Sequence, residues 1–474
     1  RVAQCGPAGE KLVRYACVLN ELKHANGRTG MGAVMGSKNL RAIAVRGTQK
    51  LSFADPEKIR EIGKKVLELL PQSAVAQNLK KFGTPMFVMP LHNSGILPTR
   101  NFQQGQFEGA EAICGEKMTE SILVKSEGCY ACAVQCKRSV KVEGKYTASP
   151  KYGGPEYETV GAFGSLCGVD NLAAIAQANE MCNQYGLDTI SAGVSIAFAM
   201  ELVEKGILTA KDTDEIDLRF GHTDAMISML GKIARREGFG NLLAEGVQRA
   251  AEKIGKGSEK YAMHIKGQEL PLHDPRGKQG LALSYATSPT GADHIEAPHD
   301  TSFLTDGPAL KATRPAGLQE PVPALELGPR KVRQFAHTQA IWNSFNSLGV
   351  CNFAAAPYTA FPLVTLAETV EAVTGWNYSM YELMELGERT VTMARMYNVR
   401  EGLSSKDDYL PERLFEVLEA GTPREKKITR EDFAKTLKLY YQSMGWDPQT
   451  GIPTEGRLSF LGLDWLIPFL PENK

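Results

Sequence analysis

The chain has 474 residues, of which 43% are hydrophobic and 23% are charged, so it is long enough for about three domains with large cores. Its formal net charge is zero and no basic block stands out, which argues against a nucleic-acid partner. Nine cysteines without a paired spacing pattern are typical of a reducing, cytoplasmic compartment rather than a disulfide framework. The longest apolar stretches are too short to span a bilayer, so we expect no membrane association.

The N-terminal residues favour short strands and close turns. Residues 1–5 resemble the inside of a strand that enters a Gly-Pro turn, and because they carry no methionine we expect a longer segment to precede them. Residues 41–46, ended by a glycine, predict another strand. Four glycines in residues 27–36 indicate a backbone that approaches something closely, where Arg28 and Lys38 could bind phosphate oxygens. A tight structural turn is the alternative.

The rest of the chain has mostly helical patterns. Residues 55–70 predict a helix that starts at an Asp-Pro-Glu cap, and Asp170 is predicted to cap a helix that ends at Gly186. Further helices are predicted at about 191–206 and 383–396. Residues 265–330 are rich in Gly and Pro and predict a long loop with little regular structure, which is usually functional. The predicted fold is therefore mostly α, α+β overall.

One weak internal repeat relates residues 183–188 to residues 346–351. Both have the form Asn-x-x-Gly, then Leu or Val, then Asp or Cys. We expect both at a helix end, where glycine lets the chain turn and free N–H groups point at one place. Two such turns could hold two similar ligands, whereas two ordinary glycine caps are the plainer interpretation.

Three cysteines, Cys129, Cys132 and Cys136, are separated by two and then three residues. Thiolates at this spacing can converge on one small inorganic centre, and Cys351 is the best candidate for a fourth ligand. Four thiolates suit a 4Fe–4S cluster, and they also suit a structural zinc ion. The spacing is unusual for a zinc ribbon, and no second CxxC follows, so the cluster is favoured.

Two further segments carry groups for acid–base chemistry. Residues 153–159 place two carboxylates on either side of a tyrosine, and a buried carboxylate there would have a raised pKa. Residues 272–299 concentrate three of the eight histidines with acidic and basic partners: His273, Asp274, Arg276, Asp293, His294 and His299. A solvated loop is the alternative for both segments.

Taken together, these motifs resemble the aldehyde:ferredoxin oxidoreductase family of tungsten (sometimes molybdenum) pterin enzymes. The resemblance runs over essentially the whole chain and rests on ordered matches at residues 27–38, 97–103, 129–136, 154–159, 185–191, 274–277, 348–351 and 398–402.

This resemblance implies two metal-bound pterins at the junction of three domains. These would be the C-terminal part of a β-rich pterin-binding domain (1–54) and two largely helical domains (55–262 and 263–474). The implied cluster ligands are Cys129, Cys132, Cys136 and Cys351, and the implied pterin-turn residues are Asn183, Leu187, Asp188, Asn346 and Val350. Near the pterin phosphates, where family members hold a magnesium ion, it places Arg28 and Thr29, and beside the tungsten it places Glu158 and His294.

The sequence departs from the family pattern at three places. Asn183 and Asn346 stand where the family has Asp, so a pterin contact there would lose charge assistance. Residues 177–180 read Gln-Ala-Asn-Glu where some members have Glu-x-x-His for an iron between subunits, so we predict no such metal, and the usual homodimer loses that support. Glu296 replaces a lysine that can reach the pterin in one branch.

The implied activity is oxidation of a small aldehyde to a carboxylic acid. Glu158 would act as general base and His294 would donate to the developing oxyanion. Electrons would pass through the cluster to ferredoxin or to an iron–sulfur partner subunit. One alternative is a catalytic subunit of the benzoyl-CoA reductase type in the same superfamily. The other is a non-catalytic protein with a structural zinc or an isolated iron–sulfur cluster.

Overall fold

The computed structural model describes residues 1–358, 361–421 and 426–471. An antiparallel sheet opens the chain, with strand order β3-β2-β1-β4, and its strands are β1 (Val2–Cys5), β2 (Val18–Asn20), β3 (His24–Ala25) and β4 (Ala42–Ala44). In its register Gln4 lies opposite Leu19 on one side and opposite Ala42 on the other. Two hairpins follow later, formed by β5 (Leu123–Glu127) with β6 (Lys137–Val140) and by β7 (His264–Ile265) with β8 (Gln268–Glu269).

Helices make up most of the regular structure. In the first half of the described chain they are α1 (Pro7–Glu10), α2 (Met31–Ser37), α3 (Pro56–Leu69), α4 (Ala74–Phe82), α5 (Val88–Asn93), α6 (Ala110–Ile113), α7 (Gly115–Ser121), α8 (Tyr157–Phe163), α9 (Leu172–Tyr185) and α10 (Thr189–Glu204). In the second half they are α11 (Thr223–Arg235), α12 (Gly238–Leu243), α13 (Val247–Ile254), α14 (Gln279–Thr287), α15 (Pro308–Thr313), α16 (Pro329–Leu348), α17 (Leu363–Thr374), α18 (Met380–Arg400), α19 (Arg430–Ser443) and α20 (Glu455–Phe460).

Helix α10 lies at the centre of the larger hydrophobic core. Its residues from Ile190 to Leu202 are all buried, because the helix is apolar or small on every face. Its one buried carboxylate, Glu201, pairs with Arg413 at 2.6 Å and accepts a hydrogen bond from Asn101. Because that charge is paired, α10 stays buried on all sides and gives the site that follows a rigid support.

A second hydrophobic cluster joins α16, α17 and α18 around Ile341, Trp342 and Leu383. The close approach of α16 and α18 requires a glycine, since a Cβ on Gly387 would lie 1.8 Å from the carbonyl oxygen of Ala340. This packing fixes the end of α16, from which the second predicted turn follows.

Several predicted elements are confirmed and two are corrected. Asp55 caps α3 through the N–H groups of Glu57 and Lys58, and the strand predicted at 41–46 is β4. The cap of α9 is Asn171 and not Asp170, because the side chain of Asn171 accepts from the N–H of Ala174. The predicted loop at 265–330 contains the hairpin strand β8 and helices α14 and α15. Among the described residues, no helix is long and apolar enough to cross a membrane.

Candidate active site

The cysteine run forms the connection of the β5–β6 hairpin. Glu127 and Lys137 are paired across the two strands, so residues 128–136 are held as one loop. Within it the N–H of Cys132 donates to the carbonyl of Cys129 at 3.1 Å. Cys351 comes from the other side of the site, where it caps the short 3-10 helix Asn352–Ala354.

The structure brings Cys351 next to this hairpin. Burial, followed by the charges of Glu156, Cys351 and Cys132, raises the pKa of Cys136 to about 12. Although Cys351 is exposed, the protein atoms around its sulfur partly shield it from water and raise its pKa, with smaller contributions from Cys132 and Cys129. Four thiolates this close would repel one another. A cationic metal centre would offset that repulsion, so the arrangement suits one.

The four sulfurs are not gathered as closely as four ligands of one zinc ion would be. Four thiolates on one zinc ion at about 2.3 Å would lie about 3.8 Å from one another. Among the described residues, the groups of three ligand atoms that lie within 4.8 Å of one another include none of these sulfurs.

The two Asn-x-x-Gly turns have the geometry that the repeat predicts. Helix α9 ends at Gly186 with φ 75°, and α16 ends at Gly349 with φ 69°. Both values are in the left-handed region, where glycine carries no side-chain penalty. In the first copy α10 begins directly after Asp188, whose carboxylate caps it through the N–H of Ile190.

The first turn is a buried, charged junction. Arg28 donates from Nε to Asp188 Oδ2 at 2.7 Å, from Nη2 to the hydroxyl of Ser191 at 3.0 Å and from Nη1 to the carbonyl of Ala292 at 3.2 Å. These contacts use three of the five N–H groups of the guanidinium. Arg28 therefore connects the N-terminal segment, the start of α10 and the loop that carries His294.

A cavity of about 240 Å³ adjoins this first turn. Its walls include Arg28, Asn183, Leu187, Asp188 and Glu158. Asn183 donates from Nδ2 to the carbonyl of Tyr152 at 2.9 Å, which leaves its side-chain oxygen to face a ligand. The structure thus gathers the residues that the resemblance assigns to the first pterin, together with the predicted catalytic carboxylate.

The second turn is more open, and Thr29 lines a different cavity from its neighbour Arg28. Asn346 and Cys351 are exposed, whereas Val350 packs against the second hydrophobic cluster. Thr29 is exposed and lines a different cavity of about 880 Å³. Roles for these residues as pterin or magnesium contacts stay predictions.

Glu158 and His294 face each other in the interior, and each keeps one polar atom without a partner. The first turn of α8 carries Glu158, whose Oε2 accepts from the N–H of Leu272 at 2.8 Å. Its Oε1 lies 3.6 Å from His294 Nε2 and 3.3 Å from His273 Nε2, yet it has no hydrogen-bonded donor. Nδ1 of His294 is likewise buried and unpaired. Such orphaned atoms fit a bound group that satisfies them.

Lys278 and two histidines complete this polar cluster. Nζ of Lys278 lies 3.0 Å from Nδ1 of His273 and 3.2 Å from Nδ1 of His299. Nε2 of His299 contacts the carbonyl of His294 at 3.1 Å. The ring centroids of His273 and His299 are 4.2 Å apart. Since Tyr285 also donates to the carbonyl of His273 at 2.8 Å, the cluster is held in place from several sides.

Burial shifts the pKa of each of these groups away from its ordinary value. It raises the pKa of Glu158 to about 7, against the lowering effects of the Leu272 N–H and Arg28. It lowers the pKa of His294 to about 3, helped by Arg28 and Lys278, and lowers that of Lys278 to about 8. Near pH 7 the site therefore combines a carboxyl poised to gain or lose a proton, a neutral imidazole and a charged ammonium.

A larger cavity of about 1100 Å³ lies on the other side of Glu158. Its polar walls include Glu158, His294 and Lys278, and its apolar walls include Phe87 and Trp342. Three of the predicted cluster ligands line the same cavity: Cys129, Cys136 and Cys351. Because Glu158 lines both cavities, it lies between the first-turn residues and the large chamber.

Sequence reasoning named His273 and His299 within a histidine-rich region, but it missed Lys278. A lysine in a glycine-rich segment is ordinarily exposed, so the sequence carried no signal that this one is buried.

The side chains at residues 177 and 180, where the sequence departs from the family's metal motif, have structural partners. Gln177 accepts from the N–H of Thr147 at 2.9 Å and Glu180 from that of Ser149 at 2.6 Å, so both side chains hold the neighbouring segment.

Family models match nearly the whole chain. Residues 1–47 match the model described as the N-terminal domain of aldehyde ferredoxin oxidoreductase, and residues 61–463 match its domains 2 and 3. These matches define the class of the protein as an oxidoreductase.

Curated relatives identify the family within that class. Tungsten-containing aldehyde ferredoxin oxidoreductase of Pyrococcus abyssi is 37% identical over 477 residues, which cover 98% of this chain and 74% of the relative. The protein of the same name from Thermococcus kodakarensis is 36% identical over 462 residues, covering 96% and 72%. The chain belongs to the aldehyde ferredoxin oxidoreductase family, as the motifs predicted.

One further relative and one solved structure have names that refer to other substrates. The WOR-like subunit of an aliphatic sulfonate oxidoreductase from Pyrococcus furiosus is 31% identical over 473 residues, covering 97% of this chain and 69% of that one. A solved structure described as the active site complex BamBC of benzoyl coenzyme A reductase superposes with a TM-score of 0.77 at 24% identity, covering 98% of this chain and 74% of that one. The superposition confirms the mostly helical fold.

Proposed function

We propose that the protein oxidises an aldehyde to a carboxylic acid at a tungsten or molybdenum bis-pterin centre beside Glu158 and His294. Water and aldehyde give the acid, two electrons and two protons. The observation that carries the proposal is that a carboxyl with a pKa of about 7 and a neutral imidazole share one cavity with three cluster cysteines. The cavity at the first turn, with Arg28, Asn183 and Asp188 in its walls, supports a pterin there, and when bound the metal would supply a Lewis acid and a two-electron acceptor.

Glu158 has the properties of the general base. Its Oε1 is buried without a donor, so it can accept a proton from water that attacks the aldehyde carbon. The backbone N–H of Leu272 holds the other oxygen at 2.8 Å and fixes the orientation of the carboxylate. Phe87 and Trp342 line the same cavity and keep bulk water from the reacting atoms.

His294 is proposed to donate to the oxygen that gains negative charge. A pKa of about 3 keeps the imidazole neutral at pH 7, so it has one N–H to donate and does not protonate the product. Its unpaired Nδ1 and its Nε2, which faces Glu158, are both available to that task.

The electron route is proposed to leave through a 4Fe–4S cluster held by Cys129, Cys132, Cys136 and Cys351, and from there to ferredoxin or an iron–sulfur partner subunit. The shared cavity supports this route, because Cys136 and Cys351 line the chamber that also contains Glu158. We further propose the division into a pterin-binding part at 1–54 and helical domains at 55–262 and 263–474, with a magnesium ion between the pterin phosphates near Arg28 and Thr29.

The test is aldehyde-dependent reduction of a viologen dye by wild-type protein and by Glu158→Gln. We expect turnover in the wild type and a loss of about 100-fold or more in the variant, with unchanged tungsten or molybdenum and iron content. Near-normal turnover in the variant would contradict the role of Glu158.

Benzoyl-CoA reduction is a second candidate, favoured by the superposition on the benzoyl coenzyme A reductase complex and by the size of the apolar chamber. Dye oxidation that depends on an aryl-CoA, without any response to aldehydes, would support this candidate over the first.

A further inference from the structure

The direction of one chain of hydrogen bonds is set by a backbone carbonyl. Nε2 of His299 lies 3.1 Å from the carbonyl oxygen of His294, and a carbonyl can only accept. The proton of His299 is therefore on Nε2. Burial and the charge of Lys278 hold the pKa of His299 well below its usual range, so the ring is neutral and its Nδ1 has a free lone pair.

That lone pair fixes the role of Lys278. Nζ of Lys278 lies 3.2 Å from Nδ1 of His299 and must donate to it. The same ammonium lies 3.0 Å from Nδ1 of His273, and since an ammonium only donates, this nitrogen accepts as well. The proton of His273 is then on Nε2, the atom that faces Oε1 of Glu158 at 3.3 Å.

We propose that Lys278 is a positioning residue that holds His273 as its Nε2–H tautomer, so that the nitrogen facing Glu158 carries a proton and cannot ligate a metal ion. The inference rests on the proposed function only in that Glu158, the group that His273 faces, is the proposed general base.

The carboxylate and imidazoles around Glu158 could otherwise serve as ligands of a metal ion. Glu158, His273 and His294 are a group of three whose ligand atoms lie within 4.8 Å of one another. Two imidazoles and a carboxylate would suit a divalent cation such as Zn²⁺, Co²⁺ or Fe²⁺. Such a cation needs a lone pair on Nε2 of His273. Because Lys278 donates to Nδ1, the ring proton is on Nε2, and this nitrogen has no lone pair to offer. The ammonium, part of the same buried cluster, also repels a second cation.

The test is Co²⁺ titration of the full-length protein at pH 7, followed by the visible absorption of the bound ion. We compare wild type, Lys278→Met and Lys278→Met/His273→Gln. We expect Lys278→Met to bind one equivalent of Co²⁺ at least about 10-fold more tightly than wild type, and the double variant to lose this binding. Equal affinity in wild type and Lys278→Met would overturn the proposal, as would binding that persists in the double variant.

Lys331→Met is the matched control. Lys331 is also a buried lysine, but it pairs with Asp300 and with Gln334 at 3.0 Å and is not among the partners of the two histidines. Its loss should leave Co²⁺ affinity unchanged. If Lys331→Met gained the same Co²⁺ site, the effect would come from removing any buried cation, and the assignment to Lys278 would be wrong.

A measurement on the wild type keeps the proposal testable if Lys278→Met does not fold. The ring nitrogens of His273 can be read by multiple-bond ¹⁵N NMR of histidine-labelled protein, assigned by the signal that His273→Gln removes. We expect the proton on Nε2, and a proton on Nδ1 would overturn the proposal. If these results hold but aldehydes are not oxidised, the proposed function fails and the role of Lys278 stands.

Discussion

The turns that follow α9 and α16 have the same local geometry and opposite surroundings. The first is packed against the N-terminal segment, because the N–H of Cys17 donates to the carbonyl of Gly186 at 2.7 Å and that of Asp188 donates to Tyr15 at 3.0 Å. The second is open at Gly349, where a Cβ would have no neighbour within 4 Å. The glycine-ended helix α9 thus leads into a buried junction, whereas α16 leads into an open turn that ends at the exposed Cys351.

Cys351→Ser is expected to have the largest effect, because it removes the one predicted cluster ligand outside the hairpin. Changes around a metal ligand cost about 10- to 100-fold, so loss of a ligand should lower aldehyde-dependent dye reduction by about 100-fold or more. Iron content and the electron paramagnetic resonance of the reduced cluster provide the measurement. Cys167→Ala, in the hydrophobic core, is the control and should retain its iron. A full iron complement in Cys351→Ser would refute its role as ligand.

Gly186→Ala and Gly349→Ala compare the two turns directly. Both place a side chain at positive φ, which costs about 1–2 kcal/mol. At Gly186 the added Cβ would also lie 2.5 Å from the backbone nitrogen of Gly6 and 2.9 Å from its Cα, so overpacking adds about 1–3 kcal/mol. Denaturant unfolding should show the first variant to be less stable by at least about 1 kcal/mol. Equal losses would mean that the first turn is no more constrained than the second.

Asp188→Asn tests the charge at the first turn. It leaves the buried guanidinium of Arg28 without its nearest carboxylate, and breaking such a pair costs about 3–5 kcal/mol. Because Glu269 and Asp293 also act on Arg28, we expect the lower end, near 3 kcal/mol, in the free energy of unfolding. Asn346→Ala, at the exposed position of the second turn, should change it by less than about 0.5 kcal/mol. A loss below 1 kcal/mol in Asp188→Asn would contradict this account.

Glu296→Gln tests a buried carboxyl that accepts a hydrogen bond from Asn343 of α16. Burial and, second, the charge of Asp293 raise the pKa of Glu296 to about 7. The donor–acceptor distance from Asn343 is 3.2 Å. Between pH 4.5 and 7 the unfolded chain releases this proton before the folded chain does, so wild-type stability falls as pH rises. Relative to wild type, Glu296→Gln should gain on the order of 2 kcal/mol between pH 5 and pH 8. A pH-independent difference would place the carboxyl in contact with water.

Local signals explain which parts of this molecule the sequence could predict. The Asp55 cap and the two glycine-ended helices are set by residues close in the chain, and these predictions agree with the structure. Helix α14 was predicted as loop, because it is buried on all sides and has no amphipathic period, and because Gly and Pro surround it.

The site depends on contacts between residues that are far apart in the chain, and such contacts could not be predicted from local sequence patterns. Arg28 reaches a carbonyl 264 residues away, and Glu158 accepts from an N–H 114 residues away. Family resemblance supplied Glu158 and His294, but it gave no reason to include Lys278, whose role depends on the burial of two histidine rings beside it.

The most direct test of the proposed metal–pterin and cluster site is elemental analysis for W, Mo, Fe and Zn on protein purified without oxygen. We predict about one W or Mo and about four Fe per chain, with little zinc. Zinc bound in the absence of W and Mo would show that the cysteines are structural, and the catalytic roles proposed for Glu158 and His294 would then be wrong.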